Sequence, residues 1–278
     1  MPATGIRHVV AASSGPMRSQ WESTPRTLVV VVGLFLLIVA AGYHYGIPIV
    51  ARFVAYRVPA AVTTAISERV FDSLDGSVLQ PSTLTAQRQQ QIASAFAELE
   101  SSGDAGRYRL VFRDSPDLGA NALALPSGTI VVTDALVELA RDDREIMGVL
   151  AHEAGHIRAR HGLRLVLQNS ALTLVIGWMV GDVTSLIAVA PAVILQTKYS
   201  RDFEREADAI AADTLRAHGI PPSVLADLLE RIDTRARSGE GIEDSETTDG
   251  SSPDATRLLD YTSSHPPTQE RLDYLRSR

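Results

Sequence analysis

The chain has 278 residues, 45% apolar and 21% charged, a balance that suits one sizeable domain with an appendage or two small domains. Its net charge of −7 gives no electrostatic support to a nucleic-acid partner, and none is expected. With no cysteine, disulfides and thiolate metal sites are excluded, so any metal must be held by imidazole and carboxylate.

Residues 1–26 are polar and without clear periodicity, and are expected to form a flexible tail. From Arg26 to Arg52 the chain runs for 25 residues without Asp, Glu, Lys or Arg. A helix needs about 20 apolar residues to cross a bilayer, so residues 27–47 suffice for a transmembrane anchor in contact with lipid. The alternative, a cleaved signal peptide, has an apolar core of only about 7–15 residues. The longer run, with Tyr43, His44 and Tyr45 suited to an interfacial belt, favours an uncleaved single span. Arg7, Arg18 and Arg26 before it balance Arg52, Arg57 and Arg69 after it, so charge does not orient it.

Residues 59–278 read as one domain, α+β in class and mainly helical with a small β-sheet. Helices are expected over 59–74 and 84–102, the second with Ile92, Phe96 and Leu99 on one face. "RYRLVF" at 107–112 alternates like a strand, and 121–134 reads as two short strands joined by the turn Pro126-Ser127-Gly128. Thr133 or Asp134 can cap a short helix through 140, and a longer helix starts near Asp142 or Asp143. Residues 165–197 are apolar except for Asp182. They read either as a buried helical hairpin turning near Gly181-Asp182 or as a hydrophobic flap on the membrane. A helix follows from about Tyr199 to His218, stopped by Gly219 and Pro221, and another from 221 to about 237. The acidic, Gly/Ser-rich stretch 238–256 is expected to be a disordered loop, and the last 20 residues return to a helical pattern.

The most specific chemistry lies in "HEAGHIRARHG". His152 and His156, four apart on a helix, can aim two imidazoles at one ion. Glu153 sits one position round from the first ligand. It can take a proton from metal-bound water without coordinating, which leaves the ion its positive charge. His161 lies about 140° round the helix from His156, and is expected to be solvated or capping rather than a ligand. Gly155 is costly inside a helix by about 1 kcal/mol, which close approach of another backbone would explain. A third ligand is expected from the acidic helix "YSRDFEREADAIAAD". Glu204 and Asp208 share a face, so Glu204 can ligate while Asp208 holds a histidine N–H. On spacing alone Glu206 rivals Glu204.

"HEAGHIRARHG" followed by "SRDFEREAD" resembles the HtpX-type and CAAX-prenyl-protease-type zinc metalloproteases, which are gluzincins. "NALALPSGTIVV" and "HPPTQERL" are similar to that family's upstream strand segment and C-terminal His-Pro-to-Arg motif, and together the four cover roughly residues 85–278. The resemblance implies a zincin-like metalloprotease domain with one zinc per chain on His152, His156 and Glu204. It implies support from Asp208, Glu153 as general base, and His265 and Arg271 near the substrate or developing oxyanion. On the residues alone, Arg271 could instead pair with Asp273 or Glu270 at the surface. The fourth metal position is expected to be open to water. Substrate is expected to lie as an extended strand beside the edge at 129–132, with Asn121 either orienting that segment or serving as a buried structural residue. The resemblance further implies an endopeptidase acting on unfolded or misassembled polypeptides in protein quality control of the cell envelope. The single anchor is closer to the family's envelope branch, in a bacterial inner membrane with a periplasmic catalytic domain. A catalytically weak, chaperone-like or scaffold protein of the same fold is the alternative.

Overall fold

A computed structural model describes residues 25–100, 107–170, 184–196, 198–238 and 261–278. The expected N-terminal tail up to residue 24, the hairpin turn at 181–182 and nearly all of the acidic loop 238–256 lie outside the described residues. The chain divides into two compact units, Met1–Gly46 and Ile47–Arg278.

The first unit contributes α1, Pro25–Ala41, and a π-helical turn over Gly42–Gly46. The apolar stretch long enough to span a bilayer runs over Leu28–Ala55, 28 residues with a mean hydropathy of 2.2 and no part buried in the 18-residue window that defines it. It therefore reaches further than the expected 27–47. At about 1.5 Å per residue such a helix exceeds a hydrocarbon core of about 30 Å.

The second unit begins at Ile47 rather than at 59, because α2, Ile47–Ala55, buries Ala51 and Ala55 in its core. Next come α3 (Ala60–Leu74), β1 (Gln80–Pro81), α4 (Ala86–Leu99), β2 (Arg109–Asp114), β3 (Ala122–Ala124) and β4 (Thr129–Thr133). The helices α5 (Asp134–Leu139), α6 (Asp143–Arg158), α7 (His161–Asn169), α8 (Thr184–Gln196), α9 (Arg201–Ala217) and α10 (Ser223–Ser238) follow. A short α11 (Tyr261–Ser264) and α12 (Gln269–Ser277) complete the chain.

Local chemistry explains the boundaries. The Thr133 side chain accepts from the Leu136 N–H to start α5, and Asp142 accepts from the Arg144 and Glu145 N–H groups to start α6. Gly128 closes the β3–β4 turn with φ +102°. A Cβ there would lie 2.2 Å from the Arg107 carbonyl oxygen, so only glycine fits.

The sheet order is β1-β2-β4-β3, with β2 parallel to β4 and β3 antiparallel to it. This corrects the expectation that 129–132 is an edge. Strand β4 is paired on both sides and buried throughout, and β3 is the outer strand on its side of the sheet, with β1 at the other edge. Alternation along β4 serves two cores. Ile130 and Val132 join the core of α4, α6, α9 and α10, while Val131 joins that of α2, α3, α7 and α8. The described parts of 165–197 thus bury one side, with Val166, Leu167, Ala190 and Ile194 in the second core.

Candidate metal centre

Helices α6 and α9 cross at their small residues. A Cβ on Gly155 would lie 2.9 Å from the Ala207 carbonyl oxygen, so the two backbones touch where no side chain fits. This close approach accounts for a glycine in mid-helix and brings His152, His156 and Glu204 together.

His152, His156, Glu204 and His265 are all buried, and each offers one ligand atom within 4.8 Å of the others. His152 Nε2 lies 3.0 Å from His156 Nε2 and 3.3 Å from His265 Nδ1. Glu204 Oε2 is 3.4 Å from His152 Nε2, and Oε1 is 3.4 Å from His156 Nε2 and 3.0 Å from His265 Nδ1. A tetrahedral zinc site with bonds of about 2.0–2.1 Å separates its ligand atoms by about 3.3–3.4 Å. The cluster has that size. Its charge also fits once His152 has released its proton: Glu153, Glu204 and Asp208 then oppose one guanidinium, Arg271, an excess of two negative charges that a divalent cation balances. The fourth corner, expected for water, holds His265 Nδ1.

The supporting residues surround the ligand cluster. Asp208 Oδ1 takes the Nδ1 side of His152 at 2.9 Å. Arg271 donates to both Asp208 oxygens at 2.7 and 2.9 Å and to the Pro266 carbonyl at 3.0 Å, and its guanidinium forms an ion pair with Glu204 Oε2 at 2.7 Å. It is buried, and Glu270 bonds Arg205 instead, so a surface pair of Arg271 with Glu270 is not formed. Tyr261 donates to Glu153 Oε1 at 3.2 Å, leaving Glu153 Oε2 buried and without a partner among the described residues. His265 Nε2 faces Glu153 Oε1 at 3.7 Å.

These contacts set the protonation. Burial opposes charge on His152, yet hydrogen bonds and charge from Asp208 and Glu204 outweigh it and raise its pKa to about 9. Burial raises the carboxyl of Glu153, against the pull of His265 and His152. Burial also opposes charge on Glu204, but the surrounding imidazoles, His265 foremost, hold it well below its ordinary value. His156 is pushed well below its usual pKa by burial.

His161 departs from expectation. Helix α6 ends at Arg158, and Arg160 takes a left-handed conformation with φ 54°, so the 140° rotation of a continuous helix does not apply. His161 instead begins α7 and turns back, fully buried, with Nδ1 3.0 Å from His156 Nδ1. Burial lowers its pKa to about 4. Glu206 faces His161 and Arg164, at 3.1 and 2.8 Å, and not the ligand cluster. No sequence signal marks Tyr261, and the αL break at Arg160 hides the role of His161. Asn121, expected either to orient the strand segment or to be structural, is buried and exchanges backbone bonds with the Thr133 hydroxyl. A cavity of about 330 Å³ opens beside Glu204 and Arg271, walled by Tyr199, Pro266 and Tyr274, with Arg201 lining it.

A model of peptidase family M48 matches residues 82–278. Metalloprotease YcaL of Escherichia coli (strain K12) is 29% identical over 165 residues, covering 57% of this chain and 58% of YcaL. Metalloprotease LoiP of the same organism is 26% identical over 235 residues, covering 81% of this chain and 84% of LoiP. Mitochondrial metalloendopeptidase OMA1 of Arabidopsis thaliana is 34% identical over 115 residues, 40% of this chain and 23% of OMA1. The alignments thus span just over half of YcaL, most of LoiP and under a quarter of OMA1.

Proposed function

The chain belongs to peptidase family M48, and from that premise we propose that it is a membrane-anchored zinc metalloendopeptidase. The observation that carries this reading is the four-cornered ligand cluster with a buried, half-unpartnered Glu153 beside it. His152, His156 and Glu204 would hold one zinc, and His265 would leave the fourth corner to water and substrate. Bound there, the ion supplies Lewis acidity, polarising a scissile carbonyl and making a water acidic near neutral pH.

Glu153 takes the proton from that water on Oε2, while the Tyr261 hydroxyl keeps Oε1 occupied, and then passes the proton to the leaving amine. Burial favours this, because a carboxyl with a raised pKa both accepts and returns a proton. Asp208 fixes the ring of His152 through Nδ1, and Arg271 holds Asp208 and Glu204 in place. Of the two C-terminal residues, His265 is the one beside Glu153, and it provides the hydrogen bond to the developing oxyanion. Arg271 acts through Glu204.

An extended polypeptide pairs along β3, the outer strand, rather than along β4. The substrates are unfolded or misassembled proteins of a bacterial cell envelope. The catalytic unit lies on the periplasmic face of the inner membrane, a side suggested by the family resemblance and not by the balanced arginines around the anchor. Exposed Ile49, Val50 and Phe53 on α2 support contact with lipid at the first helix of the catalytic unit.

The full chain, purified in detergent and loaded with zinc, is expected to cleave casein internally. A chelator should abolish cleavage, and added zinc should restore it. Zinc-loaded chain that leaves casein intact over many hours would favour the chaperone-like alternative.

A further inference from the structure

Behind His156 lies a row of side chains that the hydrolytic steps do not use. His161 Nδ1 is 3.0 Å from His156 Nδ1, and His161 Nε2 is 3.1 Å from Glu206 Oε2. Arg164 donates to the same Glu206 oxygen at 2.8 Å. Phe203 stacks on the His161 ring at 4.3 Å with only 6° between the planes, and the Arg164 guanidinium lies 4.3 Å from the centre of the same Phe203 ring. The ring cannot turn within that stack.

Proton bookkeeping fixes every tautomer in the row. A neutral imidazole carries one N–H and one lone pair. His156 turns Nε2 to the ligand cluster, where only a lone pair can bind a cation, so its proton sits on Nδ1. Two N–H groups cannot face each other at 3.0 Å. His161 Nδ1 therefore accepts, and its proton sits on Nε2. That N–H donates to Glu206, a carboxylate that Arg164 keeps paired. His152 receives the same service from Asp208 directly, in one step. His156 receives it in two.

We propose that His161, Glu206 and Arg164 form a positioning relay that fixes the tautomer and ring orientation of His156 and so sets the affinity of the metal centre. The αL turn at Arg160 is the backbone device that aims His161 back at α6. The relay rests on the metal reading above. It implies that Glu206, by spacing a rival ligand, contributes to metal binding at one remove.

The test is the zinc dissociation constant of the full chain, measured by competition with a chromophoric chelator. Thermal melts of the metal-free proteins control for folding. Loss of an outer partner of a ligating histidine weakens metal binding by about 10–100-fold. His161→Phe keeps the ring and its stack on Phe203 but removes both nitrogens, and should show that loss with an unchanged metal-free melt. His161→Asn places an amide oxygen near the position of Nδ1, accepts from His156, and should recover most of the affinity. Glu206→Ala should weaken binding about tenfold alone and add almost nothing on a His161→Phe background, because the two act in series. Parental affinity in His161→Phe, or His161→Asn no better than His161→Phe, overturns the relay. If His161→Phe does not fold, Glu206→Ala decides, and parental affinity there overturns it. A parental chain that binds no zinc overturns the metal reading and the relay together, whereas unchanged variants on a zinc-binding parent overturn the relay alone.

Discussion

Replacing Gly155 by alanine tests whether the contact of α6 with α9 builds the metal centre. On propensity alone the change should stabilise α6 by about 1 kcal/mol. The structure reverses that expectation. The new Cβ would sit 2.9 Å from the Ala207 carbonyl oxygen and 3.1 Å from its Cα, both backbone atoms that no rotamer change can move. Ordinary contact begins at 3.4 Å, so the helices must part by roughly half an ångström. Overpacking of this kind costs about 1–3 kcal/mol, which leaves a net loss of roughly 0–2 kcal/mol. The metal feels the change more sharply. His152 and His156 stand on α6 and Glu204 on α9, and metal–ligand distances tolerate only about 0.2 Å. Zinc affinity should therefore fall by about tenfold or more while the metal-free melt shifts by only a few degrees. Chelator competition and differential scanning calorimetry on the full chain read the two effects separately. Parental zinc affinity together with a melt raised by the propensity gain would refute the reasoning.

Three further outcomes follow from the same geometry. His152 of the metal-free chain is protonated below about 9 and must lose that proton to bind zinc. The zinc dissociation constant should therefore fall about tenfold per pH unit from 7 towards 9 and flatten above it, and a constant value across that window contradicts the assigned protonation. Arg271→Ala leaves Asp208 and Glu204 buried without their cation, and the metal-free chain should lose about 3–5 kcal/mol in denaturant unfolding; a loss under 1 kcal/mol would show that the carboxylates find another partner. The span Leu28–Ala55 should hold the chain in membranes through alkaline carbonate extraction, and release of intact protein would remove the anchor.

The sequence makes the local structure legible wherever one short stretch contains the whole cause. Asp142 caps α6, Thr133 caps α5, and the Pro-Ser-Gly turn joins two strands, because each needs only its immediate neighbours. The spacing of His152 and His156 is equally local. Glu204 was separable from Glu206 only by resemblance, since helical spacing favours neither, and tertiary contact decides between them. The sheet order was not legible: β4 takes the central place because β2 pairs with it in parallel across a long connection. Helical spacing misplaces His161 because one residue, Arg160, leaves the right-handed region and no residue type announces it. Tyr261 and Arg271 reach the centre from the C-terminal helices, over a separation that periodicity does not bridge.

The central claim is that Glu153 moves the proton in peptide hydrolysis at a zinc held by its helical neighbours. Glu153→Gln removes the base and leaves His152, His156, Glu204 and the helix contacts in place. The measurement is the casein-cleavage rate of the zinc-loaded variant beside that of the parent, at equal zinc content. The account predicts one zinc per chain in both and a rate lowered by about 10²–10⁴ in the variant. Equal rates at equal zinc content would contradict it.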